Sequence, residues 1–140
     1  MRTAVLPMAL VCAVLAVHCA KTPRPVRASI DFFAGEVRVV CRGEERPARA
    51  GMDLPQGCRV TTGEKSFTRI ALDRGTVALY ENTMVELSLL AYTPGKSSET
   101  IVLGVDRGAV LSRVTPCLTR GGGFSISSRT MSAGVRGSCF

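Results

Sequence analysis

The sequence predicts an all-β fold, and three observations carry that expectation. Valine, isoleucine and threonine recur in short runs, and these residues suit a pleated, half-buried strand. Turn residues separate the runs about every ten residues, the spacing of strands in small β domains. No segment between Ile30 and Phe140 carries the 3.6-residue periodicity of an amphipathic helix. A sandwich, a barrel or a solenoid-like stack satisfies this pattern. With no Trp, two Tyr and five Phe in 140 residues, the core must be aliphatic.

The N-terminus comes first and stands outside the fold. Arg2 precedes an apolar run from Ala4 to Val17, interrupted only by Pro7. The run is shorter than the roughly 20 residues that span a bilayer. It has the length of the apolar part of a secretory signal, which forms a short helix. Leu15-Ala16-Val17-His18-Cys19 resembles the lipobox of bacterial lipoproteins, with His18 where Gly, Ala or Ser is usual. That resemblance implies diacylation of Cys19, and two acyl chains anchor stably where one is marginal. Simple secretion with cleavage after Ala16 is the other route. Residues 1–19 are therefore read as signal peptide, 20–29 as a Pro-rich extended linker, and 30–140 as one β domain.

About nine short strands are expected in that domain. Glu36–Cys41 alternates, with Val37, Val39 and Cys41 on one face. Gly43 to Gly57, with Pro47 and Pro55, reads as loop. Arg59–Thr62, Phe67–Leu72, Thr76–Tyr80 and Val85–Leu90 follow, separated by turns that hold Gly or Asn. Tyr92 to Glu99 contains Pro94-Gly95 and reads as loop. Thr100–Val105, Ala109–Val114, Phe124–Ser128 and Ser132–Arg136 complete the set, with Gly121-Gly122-Gly123 as a flexible joint.

The net charge is +7. Arg38, Arg42, Arg59, Arg69, Arg74, Arg107, Arg113 and Arg129 are scattered singly, which suits a solvated sheet face. Nucleic acid is not expected as a partner, because there is no basic run and no interleaved aromatic platform. An anionic membrane surface or a cell-wall polymer fits the charge better. Of six cysteines, Cys41, Cys58, Cys117 and Cys139 lie in the domain. Four cysteines allow three pairings, and an oxidising compartment permits disulfides. Buried free thiols are the alternative. Zinc is disfavoured, since no Cys-x-x-Cys occurs and the only His is His18.

Two ordered blocks carry a family resemblance. The first runs Val60-Thr61-Thr62-Gly63-Glu64-Lys65-Ser66, then Ile70-Ala71-Leu72-Asp73-Arg74-Gly75-Thr76-Val77, then Asn82-Thr83 before Val85-Glu86-Leu87. The second runs Leu103, Gly108-Ala109-Val110, Phe124-Ser125-Ile126 and Ala133-Gly134-Val135-Arg136-Gly137-Ser138-Cys139-Phe140. Together they resemble the FecR-domain family over 30–140. Gly63, Gly75 and Gly108 are expected at tight reversals, and Ser66 and Thr76 as turn-backbone partners. Arg136, followed by Gly137, is expected to tie loop carbonyls. The family usually continues beyond this point, so a strand edge that needs covering is expected near Phe140.

The resemblance implies an extracytoplasmic β scaffold, tethered to a membrane by its lipid and binding an envelope protein or cell-wall polymer. The alternative it implies is an envelope sensor that regulates transcription through a separate transmembrane or anti-sigma partner. The expected location is the periplasm or outer surface. Enzymatic activity, a cofactor and a metal are not expected. The mature chain has no His to pair with Ser or Cys, and its lysines are Lys21, Lys65 and Lys96, in spacer or turns. Glu64, Asp73, Glu81 and Glu86 fit solvated turns and faces better than a glycosidase pair. Gly57 to Ser66 superficially resembles a phosphate-binding loop, but its spacing is wrong and no helix follows.

Overall fold

A computed structural model describes residues 24–93, 98–114, 122–129 and 132–136. The described residues hold twelve strands and no helix: β1 (Arg24–Pro25), β2 (Ala28–Ala34), β3 (Val37–Cys41), β4 (Glu44–Pro47), β5 (Arg59–Thr62), β6 (Phe67–Leu72), β7 (Gly75–Leu79), β8 (Met84–Thr93), β9 (Ser98–Arg107), β10 (Val110–Val114), β11 (Gly123–Ser128) and β12 (Ser132–Arg136). They form two sheets. The large one has the order β12-β11-β9-β8-β5-β3-β4, with β1 added beside β8, and the small one has the order β10-β7-β6-β2.

One core lies between the sheets. Val37, Val39, Val60, Val85, Leu87, Leu103 and Phe124 come from the large sheet, and Ile30, Ile70, Leu72, Val77 and Leu79 from the small one. These positions alternate along their strands, because successive side chains point to opposite faces.

The segment expected as linker is part of the fold from Arg24 onward. β1 pairs antiparallel with Tyr92 and Ala91 of β8. Val26 and Ala28 are buried in the core. Two prolines mark an extended strand here as readily as a spacer, and the burial of Val26 decides between them.

The expected loop at Gly43–Gly57 contains β4. Arg42 and Gly43 both take positive φ, 52° and 80°. Positive φ at both central residues makes the tight turn that matches strand twist. All four β4 residues are exposed, so polarity disguised an edge strand. The chain from Ala48 to Cys58 then crosses to the small sheet, where Ile30 N–H donates to the Met52 carbonyl and Leu54 N–H to the Ala28 carbonyl.

The expected loop at Tyr92–Glu99 is largely strand, since β8 runs to Thr93 and β9 starts at Ser98. Register shifts in the β8–β9 ladder fall between Met84 and Val85 and between Leu87 and Leu89. β11 lies parallel to β9, with β10 of the small sheet between them in sequence. The expected joint at Gly121–Gly123 is described from Gly122. A side chain there would stand 2.6 Å from the Glu99 carbonyl, so glycine permits the close approach of the two segments.

At one end, four short connections pass between the sheets: 35–36, 63–66, 80–83 and 108–109. They stack in the order of the strands they join. Glu36 N–H donates to Ser66 Oγ at 2.8 Å, and Gly63 N–H to the Glu36 carbonyl at 2.9 Å. Asn82 N–H donates to the Gly63 carbonyl at 3.0 Å. Thr83 N–H donates to Thr62 Oγ1 at 2.9 Å, and Ala109 N–H donates to Thr83 Oγ1 at 3.0 Å. Each arch thus satisfies backbone groups of the next, which a buried reversal must do.

Candidate functional site

The outer face of the small sheet is where side chains depart most from what a solvated surface needs. Register fixes one row across it: Leu111 on β10, Ala78 on β7, Arg69 on β6 and Phe32 on β2. In the adjacent row Tyr80 stands beside Phe67. The Phe67 and Tyr80 rings are 5.6 Å apart at 69°, and Phe32 and Phe67 are 6.2 Å apart at 51°. Phe32, Tyr80 and Leu111 are 50%, 44% and 58% exposed, and they are the exposed large hydrophobics among the described residues. Single exposed apolar residues are ordinary, whereas a contiguous group marks a contact surface.

A bulge builds part of this face. The β2–β6 register shifts between Ile30 and Phe32, so Asp31 and Phe32 both lie exposed opposite Arg69. Bulges re-aim side chains in this way. Arg69 Nε donates to Asp31 Oδ2 at 2.7 Å, which leaves the ring of Phe32 beside a neutralised pair. Arg113 and Thr76 pair in the next row, beside Ala71.

The rings are tilted rather than coplanar, so they make a curved apolar relief and not a flat stacking platform. Such relief accepts apolar side chains; a sugar ring stacks on a flat face.

The sequence-predicted residues fall elsewhere and do not converge on one site. Ser66 locks the arches: its Oγ accepts from Glu36 N–H and donates to the Glu64 carbonyl at 2.9 Å. Gly63 joins two arches through its backbone. Gly108 has φ +96°, and a side chain there would stand 2.2 Å from Thr83 Oγ1. Gly75 is not a positive-φ reversal. It is glycine because an added Cβ would stand 2.6 Å from the Arg113 carbonyl of β10. Thr76 lies within β7, paired with Arg113 and Ala71, and not as a turn-backbone partner. The Arg136 backbone ends β12. Cys19, Cys117, Gly137 and Cys139, and the side chain of Arg136, lie outside what is described.

Cys41 and Cys58 are disulfide-bonded with Cα atoms 4.4 Å apart. They sit directly across from one another where β3 pairs with β5, next to the Val40–Arg59 pair.

The carboxylates considered for catalysis are engaged separately. Asp73 accepts from Arg27 N–H, Glu81 from Lys65 N–H, and Glu86 from Arg59. A groove of about 530 Å³ runs between the first arch and the β3–β4 hairpin, but its ionisable groups neutralise one another. There Arg38 bridges Glu36 and Glu45. Among the described residues, no group of three or more His, Cys, Asp and Glu could hold a metal.

Glu99 is the residue that sequence reasoning missed, because it sat in an expected loop. It is buried, and its Oε1 stands 3.2 Å from Arg74 Nε while Oε2 has no hydrogen-bond partner. Burial pushes its carboxyl above the ordinary range, Arg74 pulls it back, and Asp73 pushes it further up. The pair ties the β6–β7 turn to the start of β9.

No protein-family model matches this chain, and no curated protein or solved structure matches it.

Proposed function

We propose that this chain is an exported, non-catalytic binding module of the cell envelope. In this reading its working surface is the outer face of the small sheet, and its partner is a protein. The two sheets act as a sandwich-like scaffold of the FecR type, a likeness that rests on the two sequence blocks alone. Cys19 carries the tether, and the signal peptide directs export.

The observation that carries the reading is the grouping of Phe32, Phe67, Tyr80 and Leu111 on one sheet face. Exposing these rings to water without a partner forgoes burial worth about 1.5–3 kcal/mol per large side chain. Their tilt favours a protein partner over a cell-wall polymer. The Cys41–Cys58 disulfide supports an oxidising, extracytoplasmic location, since such bonds are rare in the cytosol.

Site-specific photocrosslinking in intact cells tests this reading. A crosslinker at Tyr80 or Phe32 is expected to trap one discrete envelope protein, and the yield is expected to fall at least about tenfold in Phe67→Ser. A crosslinker at Glu44, on the charged hairpin, is expected to trap none. Equal trapping from Glu44 and Tyr80 would remove the face as the contact surface.

A further inference from the structure

The edge of the small sheet formed by β10 is unlike the edges around it. β2, at the opposite edge, is covered by residues 51–54, which donate to and accept from its backbone. β4, at one edge of the large sheet, is four residues long, fully exposed, charged, and ends in Pro47. Those are the devices by which proteins blunt sheet edges. β10 carries none of them. Its sequence is Val110-Leu111-Ser112-Arg113-Val114, with no proline and no acidic residue, and among the described residues it pairs only with β7.

The hydrogen-bond phase of this edge is fixed. Tyr80 N–H donates to the Ala109 carbonyl at 3.1 Å. Bonded pairs alternate along an antiparallel ladder, so the backbone groups of Leu111 and Arg113 also serve β7. The N–H and C=O of Val110, Ser112 and Val114 therefore face away from the sheet.

We infer that β10 pairs antiparallel with β10 of a second copy of this chain, about a two-fold axis at Ser112. The strand is self-complementary about that residue. Ser112 exchanges both backbone bonds with its counterpart, and Val110 does so with the second copy's Val114. The inward-facing valines meet valines, which extends the core row across the junction. Leu111 falls opposite the second copy's Arg113 in a non-bonded pair, where side chains stand closest. The aliphatic stem of Arg113 covers the most exposed large apolar side chain described, and its guanidinium stays in water. No two like charges lie directly opposite. A hetero partner strand would need no such symmetry. The palindromic order of the strand favours a second copy, and a two-fold contact is the commonest form of closed assembly.

Sedimentation velocity and light scattering of the purified full chain test this pairing. The expected result is a concentration-dependent dimer. Ser112→Pro removes an N–H that serves no bond within the chain, and edge strands tolerate proline. It is expected to raise the dimer dissociation constant at least about tenfold while the circular dichroism spectrum and urea midpoint stay near wild type. Leu111→Lys, at an exposed position, is expected to weaken the dimer comparably by placing two cations opposite each other. A chain that remains monomeric to about 0.5 mM overturns the inference. So does a dimer whose dissociation constant is unchanged in both variants. Neither result bears on the crosslinks from Tyr80 and Phe32 to a different protein, so the two readings fail separately.

Discussion

Replacing Thr62 by valine tests whether the stacked arches hold the two sheets together. The side chain is buried and valine matches its shape, so packing is kept and only the hydroxyl is lost. That hydroxyl accepts from Thr83 N–H at 2.9 Å and is placed to donate to the Tyr80 carbonyl. The Thr83 carbonyl keeps its bond from Thr62 N–H at 2.9 Å. Two buried groups, the Thr83 N–H and the Tyr80 carbonyl, thus lose their side-chain partner. Each orphan costs about 1–3 kcal/mol, and the added methyl returns up to about 0.8 kcal/mol. The expected net loss is about 2–4 kcal/mol. For a domain of this size that lowers Tm by about 8–20 °C. Urea denaturation followed by circular dichroism measures it, with an unchanged m-value expected. Thr76→Val, on the outer face, is the control and should stay within about 0.5 kcal/mol of wild type. If Thr62→Val stays there too, the arch bonds do not secure the reversal and the reasoning fails.

The Cys41–Cys58 bond closes a loop with a sequence separation of 17, so Cys41→Ala with Cys58→Ala should cost about 3 kcal/mol in the same denaturation assay. Glu99 sets a pH dependence of known sign. Burial raises its folded pKa above its unfolded value, so its stabilising contribution is full below the unfolded pKa and is lost as pH rises through the folded one. Urea midpoints of wild type minus those of Glu99→Gln, taken from about pH 4 to pH 7, should therefore decline with rising pH. A flat difference would show that Glu99 stays ionised throughout.

Much of this fold was legible because period-2 alternation is local. The nine expected strands all occur, since Val37, Val39, Val60, Ile70, Leu72, Val77, Val85 and Leu87 each mark an inward position. What escaped depends on distant groups. β2 hid behind its bulge at Asp31, which breaks alternation just where Phe32 and Phe33 follow. β4 hid because an edge strand exposed on both faces has no apolar signature. The glycine and serine positions were recognisable, but Gly75 is explained by β10, a strand that follows it by dozens of residues. The cysteine pairing needed the β3–β5 register. The aromatic face needed three strands from separate parts of the chain. The one sequence clue was that Phe67 and Tyr80 fall at outward positions, where a solvated face would place polar residues.

The stacked arches also divide the molecule into an end open to addition and an end closed to it. Among the arches, backbone groups of one connection serve the next, so an inserted residue disturbs two layers at once. The hairpin turn at Arg42-Gly43 points the other way, and nothing stands within 4 Å of where a Gly43 side chain would be. An epitope, a fluorophore or a fused domain belongs at that turn, where neither the aromatic face nor the β10 edge is disturbed.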